Sequence, residues 1–436
     1  MGHKQPSKER FIGLEWLRFL LGCYVMVYHT AHQYPQIRSV PMLAELTSMG
    51  FFATSTFFIL SGFLLSHVYF NGNQMREPAR TFWAKRFFNL YPIHIAALLI
   101  SILTLTLMQW WAIPPEGPGA SLRFVIYDTH EDLGGTNPEM FRHYMTNTQL
   151  AFNALLQLLM LQAWNPYFLT FNAPLWSLST LFFFYLLFPL LAPRLLAVRN
   201  KKLWFVLLWG LYLLPPIWVI WHQLYGMPYT GLLQRGPLFR LPEFLAGIVC
   251  YAIFRQRRAD AVPHDAAWRW GCVAFIAVCF VTATFLFTHG GAKCWYFLLH
   301  NGLLLPAQCA LVYLSALART PASRWLQHWS PRLQHWSPRL GAASLSIFAL
   351  HVPLFNLFRT AEQWLRGDPL GCFSSWSTCI AAAGEVKLSI AGYLLYLLLS
   401  VLLCLLFQER FVVPVRNALT RRFLPAKRQP AGDGAA

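Results

Sequence analysis

Residues Leu14 to Thr30 read LEWLRFLLGCYVMVYHT, an apolar run that carries Glu15, Arg18 and His29. The run is long enough for a membrane helix, and an arginine at membrane depth is costly, so an ionisable residue there is a functional-site hypothesis by default. Arg18 and His29 are eleven residues apart. At 100° per residue they fall within roughly 20° of one helix face, separated by roughly 16 Å along the axis. One face of one helix thus offers a cation toward one leaflet and an imidazole toward the other. The alternative is a snorkelling arginine and a histidine satisfied inside a bundle.

The rest of the chain fits a helix of this kind. Of its 436 residues 56% are hydrophobic and only 12% are charged, and mean hydropathy is +0.42. Repeated apolar runs of span length predict an all-α polytopic membrane bundle of about ten transmembrane helices. Short alternating segments, as in an outer-membrane barrel, are absent. The net charge of +18 would suggest nucleic acid in a soluble protein. Here the basic residues lie between spans and report topology, so no nucleic-acid partner is expected. The nine cysteines show neither a CxxC pair nor a metal-ligand spacing, and no metal is expected. The first run lacks a small-residue cleavage site and reads as a retained span.

The spans are expected at about 11–31, 48–70, 90–113, 174–191, 203–221, 238–254, 268–288, 295–317, 342–358 and 388–407. With a cytoplasmic N-terminus, 25 of the 35 Lys and Arg residues fall on the cytoplasmic side and eight on the other. This asymmetry favours both termini in the cytoplasm. It also requires 151–163, apolar but short, to lie at the interface or re-enter rather than cross. The polar region 114–149 is expected to fold over one mouth of the bundle. Residues 1–409 read as one membrane domain, and 410–436 as a basic cytoplasmic tail, partly disordered after Pro425. LQHWSPR occurs twice in tandem, at 326–332 and 333–339, and reads as a duplicated cytoplasmic loop. Cys372 and Cys379 share an expected external loop and either pair or stay as thiols.

Other stretches carry polar groups at span ends. FFILSGF at 57–63 has a Ser-Gly pair suited to close helix packing or to ligand contact. KRFFNLYP at 85–92 puts adjacent cations beside aromatics, suited to a phosphate-bearing ligand or to lipid headgroups. In RLPEFLAG at 240–247, Arg240 and Glu243 are three apart and can pair on one helix face. His351 lies inside SLSIFALHVPLF at 344–355, where a satisfied core histidine is the ordinary reading.

The order of these stretches resembles the integral-membrane acyltransferase type 3 family. The sequence LExxR, then His29 after ten intervening residues, is followed by FFILSGF, KRFFNLYP, PLWSLS with FYLLFPLL, RLPEFLAG and SLSIFALHVPLF, from about Phe11 to Phe407. The resemblance implies a ten-helix bundle in the inner (cytoplasmic) membrane. It implies O-acyl transfer from cytoplasmic acyl-CoA, usually acetyl-CoA, to a hydroxyl of a glycan or lipid-linked sugar at the external face. No permanently bound cofactor is implied; acyl-CoA is a substrate, and membrane lipids surround the protein. By position, His29 is the reactive histidine, Arg18 its partner along the donor channel, and Lys85 and Arg86 the cofactor-binding basic pair. Trp176, Ser177 and Arg240 are candidates for acceptor binding. One departure stands out. Family members commonly place one or two glutamates after WSLS, where this chain has Thr180-Leu181-Phe182. Glu243 is the candidate carboxylate behind His29. A transporter or flippase of glycan precursors is the rival class, but the internal repeats often seen in transporters are absent.

Overall fold

The computed structural model describes residues 11–110, 125–128, 145–261, 263–318, 324–373 and 375–424. Among them nine helices are long and apolar enough to cross a membrane. The principal helices are α1 (Ile12–Thr30), α2 (Gly50–Tyr69), α3 (Ala79–Trp110), α4 (Asn147–Leu158), α5 (Trp176–Ala197), α6 (Lys201–Trp221), α7 (Pro237–Ala259), α8 (Ala266–His289), α9 (Lys293–His300), α10 (Leu305–Leu317), α11 (Arg324–Arg366), α12 (Ile390–Phe407) and α13 (Val413–Phe423). Among the described residues, sheet is confined to two small antiparallel pairs: Phe70–Asn71 with Gln74–Met75, and Val125–Asp128 with Phe168–Thr170. The polar region 114–149 and the tail after Pro425 fall largely outside the described residues.

Glu15, Arg18 and His29 dilute the apolarity of α1, which is not one of the nine long apolar helices. It is held instead by its neighbours, packing on α11 most extensively and also on α2 and α10. The centre of the bundle is the pair α2 and α7. A methyl on Gly62 would lie 2.1 Å from the carbonyl oxygen of Phe244, and one on Gly247 would lie 2.0 Å from that of Ile59. Backbone meets backbone there, which only glycine allows. The Ser-Gly pair of FFILSGF is therefore explained by packing at Gly62. At the periphery the balance reverses. Helix α8 turns Trp270, Phe275, Val278 and Val281 outward, and α12 turns out Leu394, Leu398 and Leu402. Such faces suit contact with lipid rather than water.

Several boundaries differ from the sequence expectation. Helix α3 begins at Ala79, so Arg80, Lys85 and Arg86 sit on a helix rather than in a loop. The expected span 295–317 is two helices, α9 and α10, broken at Asn301–Leu304 with Gly302 at φ +105°. The tandem LQHWSPR is not a loop. It is continuous with the span that follows, making α11 a helix of 43 residues. Its two prolines sit seven residues apart, and its polar composition hid a helix whose first turns need not be apolar. The short segment behaves as expected. Helix α4 has 12 residues opened by a capping box between Thr146 and Gln149, and is too short to cross. His94 Nε2 on α3 lies 2.7 Å from the Gln157 carbonyl, fastening α4 to α3. Cys379 is disulfide-bonded.

Candidate functional site

His29 occupies the last turn of α1, and His351 lies midway along α11. The two helices pack closely enough to stack the imidazoles, with ring centroids 5.0 Å apart and planes 29° from parallel. The hydrogen bonds assign the protons. His351 Nδ1 lies 2.9 Å from the Ile347 carbonyl, which can only accept, so Nδ1 bears the proton. A neutral His351 then has its lone pair on Nε2, and that atom lies 3.0 Å from His29 Nδ1. His29 Nδ1 is therefore the donor, shared with the Val25 carbonyl at 3.0 Å. The remaining lone pair of His29 is on Nε2, which makes no hydrogen bond to a described residue. Tyr396 donates to the His351 backbone carbonyl at 3.0 Å, and Thr30 Oγ1 lies 3.1 Å from Tyr393 Oη, so α12 braces both histidine-bearing helices.

Arg18, three turns earlier on α1, is half-buried and makes neither a hydrogen bond nor an ion pair with a described residue. It lies within electrostatic range of Tyr185 on α5, of Arg86 on α3 and of Glu15. Glu15 accepts a hydrogen bond from Ser337 at 2.6 Å. Arg86 donates through Nη2 to Tyr69 Oη at 2.6 Å and stands 5.0 Å over the Tyr69 ring. Its Nε is buried without a partner. Lys85 faces another way and is ion-paired with Glu77. Of the predicted basic pair, then, Arg86 is gathered with Arg18, while Lys85 already has a carboxylate.

Arg240 and Glu243 form an ion pair at 3.0 Å, each only 1% exposed. Arg240 also donates to Ser55 Oγ and to the His300 carbonyl, both at 2.7 Å, and Tyr212 Oη donates to Glu243 at 2.6 Å. The His300 carbonyl belongs to the end of α9, whose last acceptors lose their helical partners where the helix breaks. Trp209 Nε1 satisfies the next such group, donating to the Gly302 carbonyl at 2.8 Å. Arg240 thus caps a broken helix and ties α2, α7 and α9 together. Glu243 makes no hydrogen bond to His29. The hydrogen-bond partner behind His29 is another histidine, His351, which sequence reasoning left as a core residue. Its signals in sequence were a polar residue inside an apolar span and its place in SLSIFALHVPLF, and neither named His29 as its partner.

Trp176 and Ser177 open α5. Ser177 Oγ donates to the Pro174 carbonyl at 2.8 Å and is buried, and Trp176 packs edge-on to Phe58 with centroids 5.9 Å apart. Both are engaged in forming the turn into α5. Ser179 Oγ donates to the Met160 carbonyl at 2.6 Å, holding the short segment after α4 against α5.

The chemistry available is therefore a free imidazole lone pair on His29 and, three turns earlier on the same helix, the Arg18 guanidinium, with the Arg86 guanidinium of α3 nearby. A family model described as an acyltransferase domain matches residues 11–409. A curated relative named acyltransferase MdmB, from Streptomyces mycarofaciens, is 29% identical over 205 residues, 46% of this chain and 43% of the relative. The match thus spans less than half the length of that relative. No solved structure matches.

Proposed function

The chain belongs to the acyltransferase type 3 family, and from that membership we propose that it transfers an acyl group, acetyl in the first instance, from cytoplasmic acyl-CoA to a hydroxyl of a glycan or glycolipid at the external face of the inner membrane. The observation that carries this reading is the relay from the Ile347 carbonyl through His351 to His29, which leaves His29 Nε2 as a free base. In the proposed step His29 Nε2 takes the proton of the acceptor hydroxyl as the oxygen attacks the thioester carbonyl. The new C–O bond forms, the C–S bond breaks, and the proton passes from His29 to the leaving thiolate, giving CoA thiol. His351 supports this by accepting from His29 Nδ1, so that the imidazolium formed in transit keeps a strong hydrogen bond.

The CoA nucleotide is polyanionic and suits the guanidinium groups of Arg86 and Arg18, neither of which has a carboxylate at ion-pair distance among the described residues. A pantetheine arm is thin and uncharged enough to run between helices toward His29. Acyl transfer along this line crosses the bilayer without moving CoA across it. Purified protein in nanodiscs, given acetyl-CoA and a panel of glycan acceptors, should release CoA thiol in step with acceptor acetylation, and His29→Ala should reduce both by about 10²- to 10⁴-fold. Transport of an acceptor across liposomes that survives His29→Ala, with no thiol release, would overturn the enzyme reading in favour of a transporter.

A further inference from the structure

Arg416 lies on α13, beyond residues 11–409 that match the family, in a part of the chain expected to be a tail. The helix instead packs along α3, with the Phe423 and Phe88 rings 5.9 Å apart. Arg416 Nη1 donates to Asn89 Oδ1 at 3.5 Å, and Asn89 is one turn from Arg86 on the same face of α3. Arg416 is accordingly within electrostatic range of Arg86 and Tyr69. Arg86 is in turn within range of Arg18. Three guanidinium groups from α1, α3 and α13 therefore form a chain of like charges beside Tyr69 and Tyr185. None of the three has a described carboxylate at ion-pair distance, although the chain forms such pairs elsewhere, as at Arg339–Glu409.

Half-buried like charges repel one another more strongly than solvated ones. A fold that gathers three of them with no described carboxylate at ion-pair distance suits an anion, and planar guanidinium forks match phosphate oxygens. We propose that Arg416 is a binding residue of a polyphosphate site, and that α13 closes the nucleotide end of the donor site over Arg86 and Arg18. This rests on the acyl-CoA reading above. The occupant is a ligand with two or more phosphates, which the adenosine 3′-phosphate and diphosphate of CoA supply.

The test uses the full chain in nanodiscs with CoA, inorganic pyrophosphate and acetyl-pantetheine as probes. Arg416→Gln should weaken CoA binding roughly 10- to 100-fold, the range of one charge-assisted hydrogen bond. Turnover with acetyl-pantetheine, which has no phosphate, should match the wild type. Arg421→Gln, exposed on the same helix, should leave CoA affinity unchanged. Unaltered CoA affinity in Arg416→Gln overturns the proposal, and so does an equal loss with CoA and acetyl-pantetheine, the mark of a folding defect. A wild-type chain that binds pyrophosphate through Arg416 but not CoA keeps the polyphosphate site and overturns the donor reading. One that binds neither overturns both.

Discussion

His351 Nε2 accepts a hydrogen bond from His29 Nδ1 at 3.0 Å, and that bond gives the His29 ring a single tautomer. Histidine-based hydrolases commonly set the tautomer with a carboxylate. Here a neutral ring does so, itself fixed by the Ile347 carbonyl. The stretch after WSLS holds no glutamate, and the geometry at His29 needs none.

His29→Ala should reduce acyl transfer by about 10²- to 10⁴-fold, the usual contribution of a general base. His351→Leu removes the acceptor behind His29 and leaves only the Val25 carbonyl. Orienting partners of histidines are worth about 10- to 100-fold, and the loss should appear in kcat with little change in KM for acyl-CoA. His351→Gln, whose amide oxygen can accept, should recover part of it. Equal activity in the Leu and Gln variants would show that His351 acts by filling space.

For Arg240 and Glu243 the expected effect is on stability. Arg240→Leu strands a buried carboxylate and should cost about 3–5 kcal/mol, whereas the double variant R240L/E243L should regain most of it. Unfolding in detergent micelles measures both. Folded Glu243→Gln should keep a kcat close to the wild type, because Glu243 contacts Arg240 and Tyr212 rather than His29. A folded Glu243→Gln that has lost turnover would reinstate Glu243 in catalysis.

The α2–α7 contact gives a third measurement. Gly247→Ala places a methyl 2.0 Å from the Ile59 carbonyl and should destabilise by about 1–3 kcal/mol or more. Gly210→Ala, in α6, meets nothing within 4 Å and should be neutral or stabilising by about 0.5–1 kcal/mol. Equal stability of the two variants would mean that the helices are free to part.

Much of the architecture was legible because bilayer thickness imposes a period on the sequence: long apolar runs and their basic flanks mark helices directly. Helix boundaries in polar stretches were not, since outside the hydrocarbon nothing forces apolarity. Hence α3 extends back through Arg80, and α11 through the LQHWSPR repeats. The placement of Arg18 and His29 on one face followed from helical period alone. Which partners meet them depends on contacts across hundreds of residues. His351 is 322 positions from His29, and no local pattern marks that pairing. Arg240 and Glu243 were readable as a pair because three residues bring them together, but their third partner, the broken end of α9, was not.

Deletion of one LQHWSPR copy should leave acyl transfer intact. Seven residues turn a helix through 700°, within roughly 20° of two full turns, and span about 10.5 Å. Everything after the deletion therefore enters the bundle with its faces nearly unchanged. Ser337 keeps its bond to Glu15, and Arg339 its pair with Glu409. Deleting five residues there would instead rotate the helix by about 140° relative to what precedes it. The residues that precede the bundle would then point elsewhere, and a loss of activity in the seven-residue deletion equal to that in the five-residue one would refute this account. A tandem copy of this length is thus expected to behave as a tolerated genetic stutter: slippage between the two copies would lengthen or shorten the start of α11 while nearly preserving the faces that enter the bundle.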